Sequence, residues 1–182
     1  METKLLLALS IKSLMKKKSL DTISVAKVCE EANVSRQTFY RNFNDKYHLV
    51  NWYFHELCNK SFLLMGVSLN LEEALCEKFT FIENEKVFFS QAFKSDDCNN
   101  LMNYDFEMIY QFYESAIIKQ IKKPLDENLA FLLEMYCKGS IDMTVKWATG
   151  YLDINKIKLV ELLILSLPEG LKQYLIKLNK ID

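Results

Sequence analysis

The sequence predicts an all-α protein, a small three-helix head followed by a larger helical body, and three observations carry that expectation. Half of the 182 residues are apolar, and they recur at three- and four-residue spacings over most of the chain. There are only four Gly and two Pro, too few for a loop-rich β architecture. No run alternates apolar and polar residues as a half-buried strand does.

Taken in order, Leu7, Ile11, Leu14 and Met15 form one apolar stripe on a helix starting near Thr3. Lys16, Lys17 and Lys18 suit its last turn, where cations meet the negative end of the helix dipole. After a polar connector, Ser19 to Ile23, Ser24 caps a second helix with Val25, Val28, Cys29 and Ala32 inward. Asn33 stops it, because Asn tolerates the left-handed backbone. Ser35 caps a short third helix, Arg36 to Asn42, and Asn44 and Asp45 provide the next break.

From Lys46 the helices lengthen. Leu49, Trp52, Tyr53, Leu57 and Leu64 mark a long connecting helix, with a break expected over Gly66 to Asn70. Helices follow over Leu71 to Glu83, Lys86 to Phe93 and Tyr104 to Ile121, with Lys94 to Asn100 as a loop. Pro124 ends the last of these, since the residue before a proline leaves the α region. Asp126 to Ala148 and Asn155 to Leu178 are two further long helices, joined by Thr149, Gly150 and Tyr151, and Pro168 kinks or interrupts the second.

Charge divides the chain at the same place. Residues 1–50 hold nine Lys/Arg against five Asp/Glu, whereas the remainder holds fourteen against nineteen. A basic head on an acidic body suits a module that displaces phosphate counterions, attached to a domain that does not. The five cysteines, Cys29, Cys58, Cys76, Cys98 and Cys137, are odd in number and widely spaced, so they read as reduced thiols of a cytoplasmic protein. The longest aliphatic stretch, Leu159 to Leu167, is too short to span a bilayer, and no signal peptide precedes the first helix.

The stretch Thr22 to Lys46 resembles the DNA-binding head of the TetR/AcrR family. Ala32, a turn at Asn33, Val34-Ser35, then Tyr40, Phe43 and Lys46 stand at the family's spacing, with Asn33 where Gly is usual and Ser19 where Gly often ends the first helix. The resemblance implies residues 1–46 as a helix-turn-helix DNA-binding domain and residues 47–182 as an effector-binding and dimerisation domain. A recognition helix exposes polar side chains near its N-terminus to base edges while its other face is held in the core. Arg36 pairs with guanine, Gln37 with adenine, and Thr38 touches a thymine methyl. Tyr40, Asn42 and Lys46 suit phosphates, Thr22 and Ser24 are family-like phosphate contacts, and Ser35 and Arg41 complete the set. The competing reading makes Arg36 and Arg41 solvated charges, the default in an isolated helix, and the surrounding motif tells against it; for Tyr40 the competing reading is plain core.

In the body, Gly139 followed eight residues later by Trp147 is similar to the penultimate helix of the branch related to the dihydroxyacetone-kinase activator. That resemblance implies a homodimer through the last two long helices, with Gly139, Met143, Leu159 and Leu163 at the interface. Phe89, Phe93, Tyr104, Tyr110, Tyr113 and Trp147 are the candidates for an effector pocket, although aromatics at helical spacing are more often plain core. The expected partners are a double-stranded operator, a second copy, and a small effector or a protein co-regulator, with no membrane and no cofactor or metal. An adaptor-type regulator answering to a protein partner is the competing reading. An enzyme is disfavoured: the two histidines, His48 and His55, with Cys58 one turn on, suit packing better than metal binding, and no phosphate loop or Cys-x-x-Cys pair is present.

Overall fold

A computed structural model describes residues 2–65 and 69–176, with backbone alone for 59–63. Ten α-helices and one 3-10 turn account for nearly all of them: α1 (Glu2–Met15), the turn Leu20–Thr22, α2 (Val25–Glu31), α3 (Arg36–Asn42), α4 (Lys46–Leu64), α5 (Leu71–Asn84), α6 (Lys86–Phe93), α7 (Leu101–Ile121), α8 (Glu127–Thr149), α9 (Lys156–Leu165) and α10 (Glu169–Leu175). Among the described residues the only β pairing is an isolated bridge between Met65 and Leu69, and no helix is long and apolar enough to cross a membrane. The expected break at 66–68 and the helix end at 177–178 lie outside the described residues.

The caps fall where side-chain chemistry puts them. Ser24, Ser35, Asn70, Asn100, Asp126 and Asn155 each accept a backbone N–H three residues on, satisfying a donor that the first helical turn leaves orphaned. Asn100 moves the start of α7 three residues upstream of the expected Tyr104. Asn33 closes the α2–α3 turn at φ 52°, in the left-handed region its side chain tolerates. Pro168 separates α9 from α10 outright, and α10 folds back to bury Leu171 and Leu175 against α7 and α8.

One continuous core runs from head to body. In the head, Leu7, Ile11 and Met15 of α1 are buried in the same core as Val28, Cys29, Phe39 and Phe43, and α1 packs on α2 and α4. Helix α4 belongs to both parts: Leu49 and Val50 are buried near its start, and Phe54 and Cys58 lie deeper. Further polar ties cross the junction. Lys12 of α1 pairs with Glu85 at 2.5 Å, Ser95 donates to Asp21 at 2.5 Å, and the Asn51 amide donates to the Asn99 carbonyl at 3.0 Å.

Candidate nucleic-acid interface

Helix α3 is anchored on one side and open on the other. Phe39 and Phe43 are fully buried, with ring centroids 6.0 Å apart, and Trp52 packs on Phe43 at 5.6 Å. These rings fix how α3 sits on the head and which side chains it turns outward. Arg36, Gln37 and Arg41 are exposed, and among the described residues no hydrogen bond or ion pair holds their side chains. Tyr40, 57% exposed, rests edge-on against Phe39 at 5.5 Å, which leaves its hydroxyl end in solvent.

Other members of the predicted set are partly engaged. Ser35 Oγ caps α3 by accepting Thr38 N–H at 3.0 Å and shares a 2.9 Å hydrogen bond with the Thr38 hydroxyl. Ser24 Oγ accepts Lys27 N–H at 3.2 Å at the start of α2, and Thr22 donates to the Ser19 carbonyl at 2.9 Å. The Asn42 amide donates to the Thr38 carbonyl at 2.8 Å. Thr22, Ser24 and Ser35 are exposed and Thr38 and Asn42 half-buried, each with one polar group spent locally.

Lys46, expected at a phosphate, is turned inward instead. Its ammonium donates to the carbonyls of Leu20, Asp21 and Ile23 at 2.8, 2.7 and 2.9 Å, using all three protons. Burial lowers its pKa from the ordinary lysine value, against the opposing pull of Asp21, Asp97 and Asp45. The arrangement ties the first residue of α4 to the turn that leads into α2. Beside it Tyr47 donates to Asp21 at 3.2 Å, and burial together with that carboxylate pushes the phenol up to about 12.

The body holds a charged centre that the sequence reading missed. Lys78 of α5 donates to both oxygens of Asp105 of α7 at 2.7 and 2.8 Å, with both side chains buried and the ammonium 5.6 Å from the Phe54 ring. Complete burial raises the Asp105 carboxyl, and Lys78 pulls it back down. Burial also pushes up the neighbouring thiols, Cys58 strongly and Cys137 to about 12. The signal was legible: Lys78 falls on the stripe Leu71, Ala74, Leu75, Phe79 and Ile82, and Asp105 between Leu101 and Ile109. A charge on an apolar stripe has to find its counter-ion inside.

The six aromatic residues assigned to one effector pocket do not share one. Phe89 and Phe93 pack on Phe54 with centroids at 5.7 and 6.5 Å, Tyr110 on Phe106 at 5.9 Å, and Trp147 on Phe79 at 5.5 Å, while Tyr104 is half-buried. Only Tyr113 lines the small internal cavity of about 10 Å³ beside Lys78. Periodicity placed these rings inward, but pairwise packing dispersed them. Neither histidine joins a metal-ligand cluster among the described residues, and His48 Nδ1 accepts Asn44 N–H at 3.2 Å.

The model of the bacterial regulatory proteins of the tetR family matches residues 10–51, and that of the transcriptional regulator C-terminal region matches residues 69–167, more than half of the chain. The chain belongs to the TetR family of transcriptional regulators. No curated protein matches it. Among solved structures it is similar to the dihydroxyacetone kinase operon activator DhaS, with a TM-score of 0.64, 20% identity, and 94% of this chain and 97% of that one covered. It is also similar to the TetR family repressor AlkX of Dietzia sp. strain DQ12-45-1b, implicated in n-alkane biodegradation. There the TM-score is 0.54, with 14% identity and coverage of 94% and 96%. At these identities the likeness is one of fold.

In this TetR-family regulator α8 and α9 carry an apolar outer face. Phe131, Met135, Gly139 and Met143 recur at every fourth residue of α8, with Phe131 66% and Met135 53% exposed. A Cβ added to Gly139 would meet nothing within 4 Å. Leu162 and Leu165 extend the face onto α9. Leu159 and Leu163, expected at an interface, are instead buried inside the protomer, on the side of α9 that packs on α5. The 3.6-residue period gives α9 apolar residues on both sides, so the pattern alone does not separate the buried pair Leu159 and Leu163 from the outward pair Leu162 and Leu165.

Proposed function

We propose that this DNA-binding transcriptional regulator acts as a homodimer, with residues 1–46 as the reading head and residues 47–182 as the body that dimerises and modulates operator affinity. The observation that carries the reading is the free outer face of α3, where Arg36 and Gln37 stand unengaged in the first helical turn while Phe39 and Phe43 lock the opposite face. Arg36 and Gln37 read base edges; Tyr40, Arg41 and the caps Ser24 and Ser35 meet the backbone. Thr38 reaches a thymine methyl, and Thr22 and Asn42 flank the same surface. Lys46 acts by holding the turn before α2 in position, and not by touching phosphate in the free head. Two copies associate through Phe131, Met135, Gly139 and Met143 of α8 with Leu162 and Leu165 of α9, setting two heads about 34 Å apart for successive major grooves.

Fluorescence anisotropy with the operator recovered by in vitro selection tests this. The expected outcome is tight binding to the selected site, at least a thousandfold preference over random duplex, and a footprint of two half-sites. Equal affinity for both duplexes rejects the reading. For control through the body, an effector that binds must shift operator affinity.

A further inference from the structure

Two sets of contacts hold the head to the body on either side of α4. On one side the loop between α6 and α7 reaches the turn Leu20–Thr22: buried Ser95 donates to Asp21 Oδ1 at 2.5 Å, and Tyr47 of α4 donates to the same oxygen at 3.2 Å. One turn further along α4, the Asn51 amide donates to the Asn99 carbonyl of that loop at 3.0 Å. On the other side Lys12 of α1 pairs at 2.5 Å with Glu85, at the junction of α5 and α6, and Tyr53 donates to Glu85 at 3.4 Å. Tyr53 comes two residues after Asn51, which puts it about 200° round the helix. The ties therefore grip α4 from opposite faces, and rocking the head towards one of them pulls on the other.

The loop is braced for this task. Asn100 donates its side-chain amide to the Ser95 carbonyl at 2.9 Å, while its side-chain oxygen caps α7 by accepting Asn103 N–H at 3.0 Å. Ser95 is thus fixed to the first turn of α7 and passes that position on to Asp21. In the head, Lys46 binds the carbonyls of Leu20, Asp21 and Ile23, and Ser24 caps α2 directly afterwards. The turn that Ser95 holds is therefore continuous with the helix that packs on α3. Asn51 marks what the junction gives up. It is buried, and its Oδ1 has no hydrogen-bond partner among the described residues. A buried acceptor left unmet lowers stability, which a leucine in the same place would not do. The amide is accounted for by its N–H, which ties α4 to the loop.

We propose, resting on the homodimer reading above, that Ser95, Asn51 and Glu85 are positioning residues for operator recognition: they fix the angle of each head on its body and so the half-site spacing that the dimer accepts. None of the three lies on α3, so they act through the placement of the head and not by touching bases. Each added base pair moves a half-site about 3.4 Å along the duplex and turns it about 34°, so two heads held at one angle match one spacing. Losing a tie lets each head swing. Binding at the matched spacing then has to order more of the protein, and neighbouring spacings come within reach.

Anisotropy over a spacer series tests this with the full-length protein. The duplexes are the selected operator, versions with its half-sites one or two base pairs closer or further apart, and one carrying a single half-site. The parent should favour one spacing. Ser95→Ala and Glu85→Ala each change only the body, and each should narrow the advantage of that spacing over its one-base-pair neighbours about tenfold, the worth of one charge-assisted hydrogen bond, with affinity for the single half-site unchanged. Ile109→Val, about two turns into α7 and away from the ties, should lower the thermal midpoint and keep the parent's spacing profile. A profile unaltered in either folded variant, an equal loss on the single half-site, or the same loosening in Ile109→Val overturns the assignment. A parent that binds every spacing and the single half-site alike, and sediments as a monomer, rejects the homodimer reading as well, whereas a sharp parent profile that the variants leave unaltered overturns the positioning role alone.

Discussion

Replacing Asp105 by Asn removes one charge of the buried pair while keeping the shape of the side chain, so no cavity term enters. Both partners are within 3% of full burial, and Lys78 directs two hydrogen bonds at 2.7 and 2.8 Å to the lost carboxylate. An ammonium stranded in that position costs about 3–5 kcal/mol, a large part of the roughly 5–15 kcal/mol by which a domain is stable. With a urea dependence of about 2–3 kcal/mol/M for a chain of this size, the midpoint should fall by roughly 1–2.5 M. The comparison is made at one protein concentration, because association contributes to apparent stability. Lys78→Met/Asp105→Leu, which removes both charges and keeps the volume apolar, should recover most of the loss and can exceed the parent. An Asp105→Asn midpoint corresponding to less than about 1 kcal/mol of loss, or a double variant weaker than either single one, would refute the argument that burial of the pair dominates its energetics.

Arg36→Ala should cost about 1–3 kcal/mol of discrimination at one base position in a selection experiment, while Lys46→Ala should lower the thermal midpoint of the free protein before any DNA is added. A normal melting curve for Lys46→Ala would show that the three carbonyl bonds do little. Met135→Asp should shift the sedimentation coefficient to that of a monomer with an unchanged circular dichroism spectrum, whereas Leu163→Asp should unfold the chain, and the reverse pattern would exchange their roles. Burial lifts Cys137 from 9.0, and Tyr47 from 10.0, to about 12. Above about pH 9 the unfolded chain gives up these protons and the folded chain keeps them, so stability is full below that pH and declines towards pH 12; a urea midpoint unchanged between about pH 8 and 10.5 would contradict this. Labelling with an aromatic disulfide near neutral pH should modify exposed Cys98 at once and buried Cys58 and Cys137 only at the rate of unfolding.

The parts of the fold written in local chemistry were readable before any coordinates. Caps such as Ser24, Ser35 and Asp126 act within three residues of themselves, and so does the left-handed turn at Asn33. The open face of α3 follows from the same local logic, since inward Phe39 and Phe43 leave Arg36 and Gln37 outside. What depended on distant partners was less legible. The carbonyls that take up the Lys46 ammonium lie more than twenty residues upstream, and Lys78 and Asp105 meet from different helices. On α9, apolar residues on both faces hid which side meets α5, and only the packed structure separates Leu163 from Leu165.

Helix α4 enters the head core at Leu49 and the body core at Phe54 and Cys58 with no break between them. Its amides over that stretch should exchange with deuterium only when the whole molecule opens, while the peptide groups of α3 exchange through smaller, cheaper openings. A rigid shaft of this kind turns as a unit, so a displacement of a fraction of an ångström where it passes Lys78 is multiplied by its length before it reaches the reading helix.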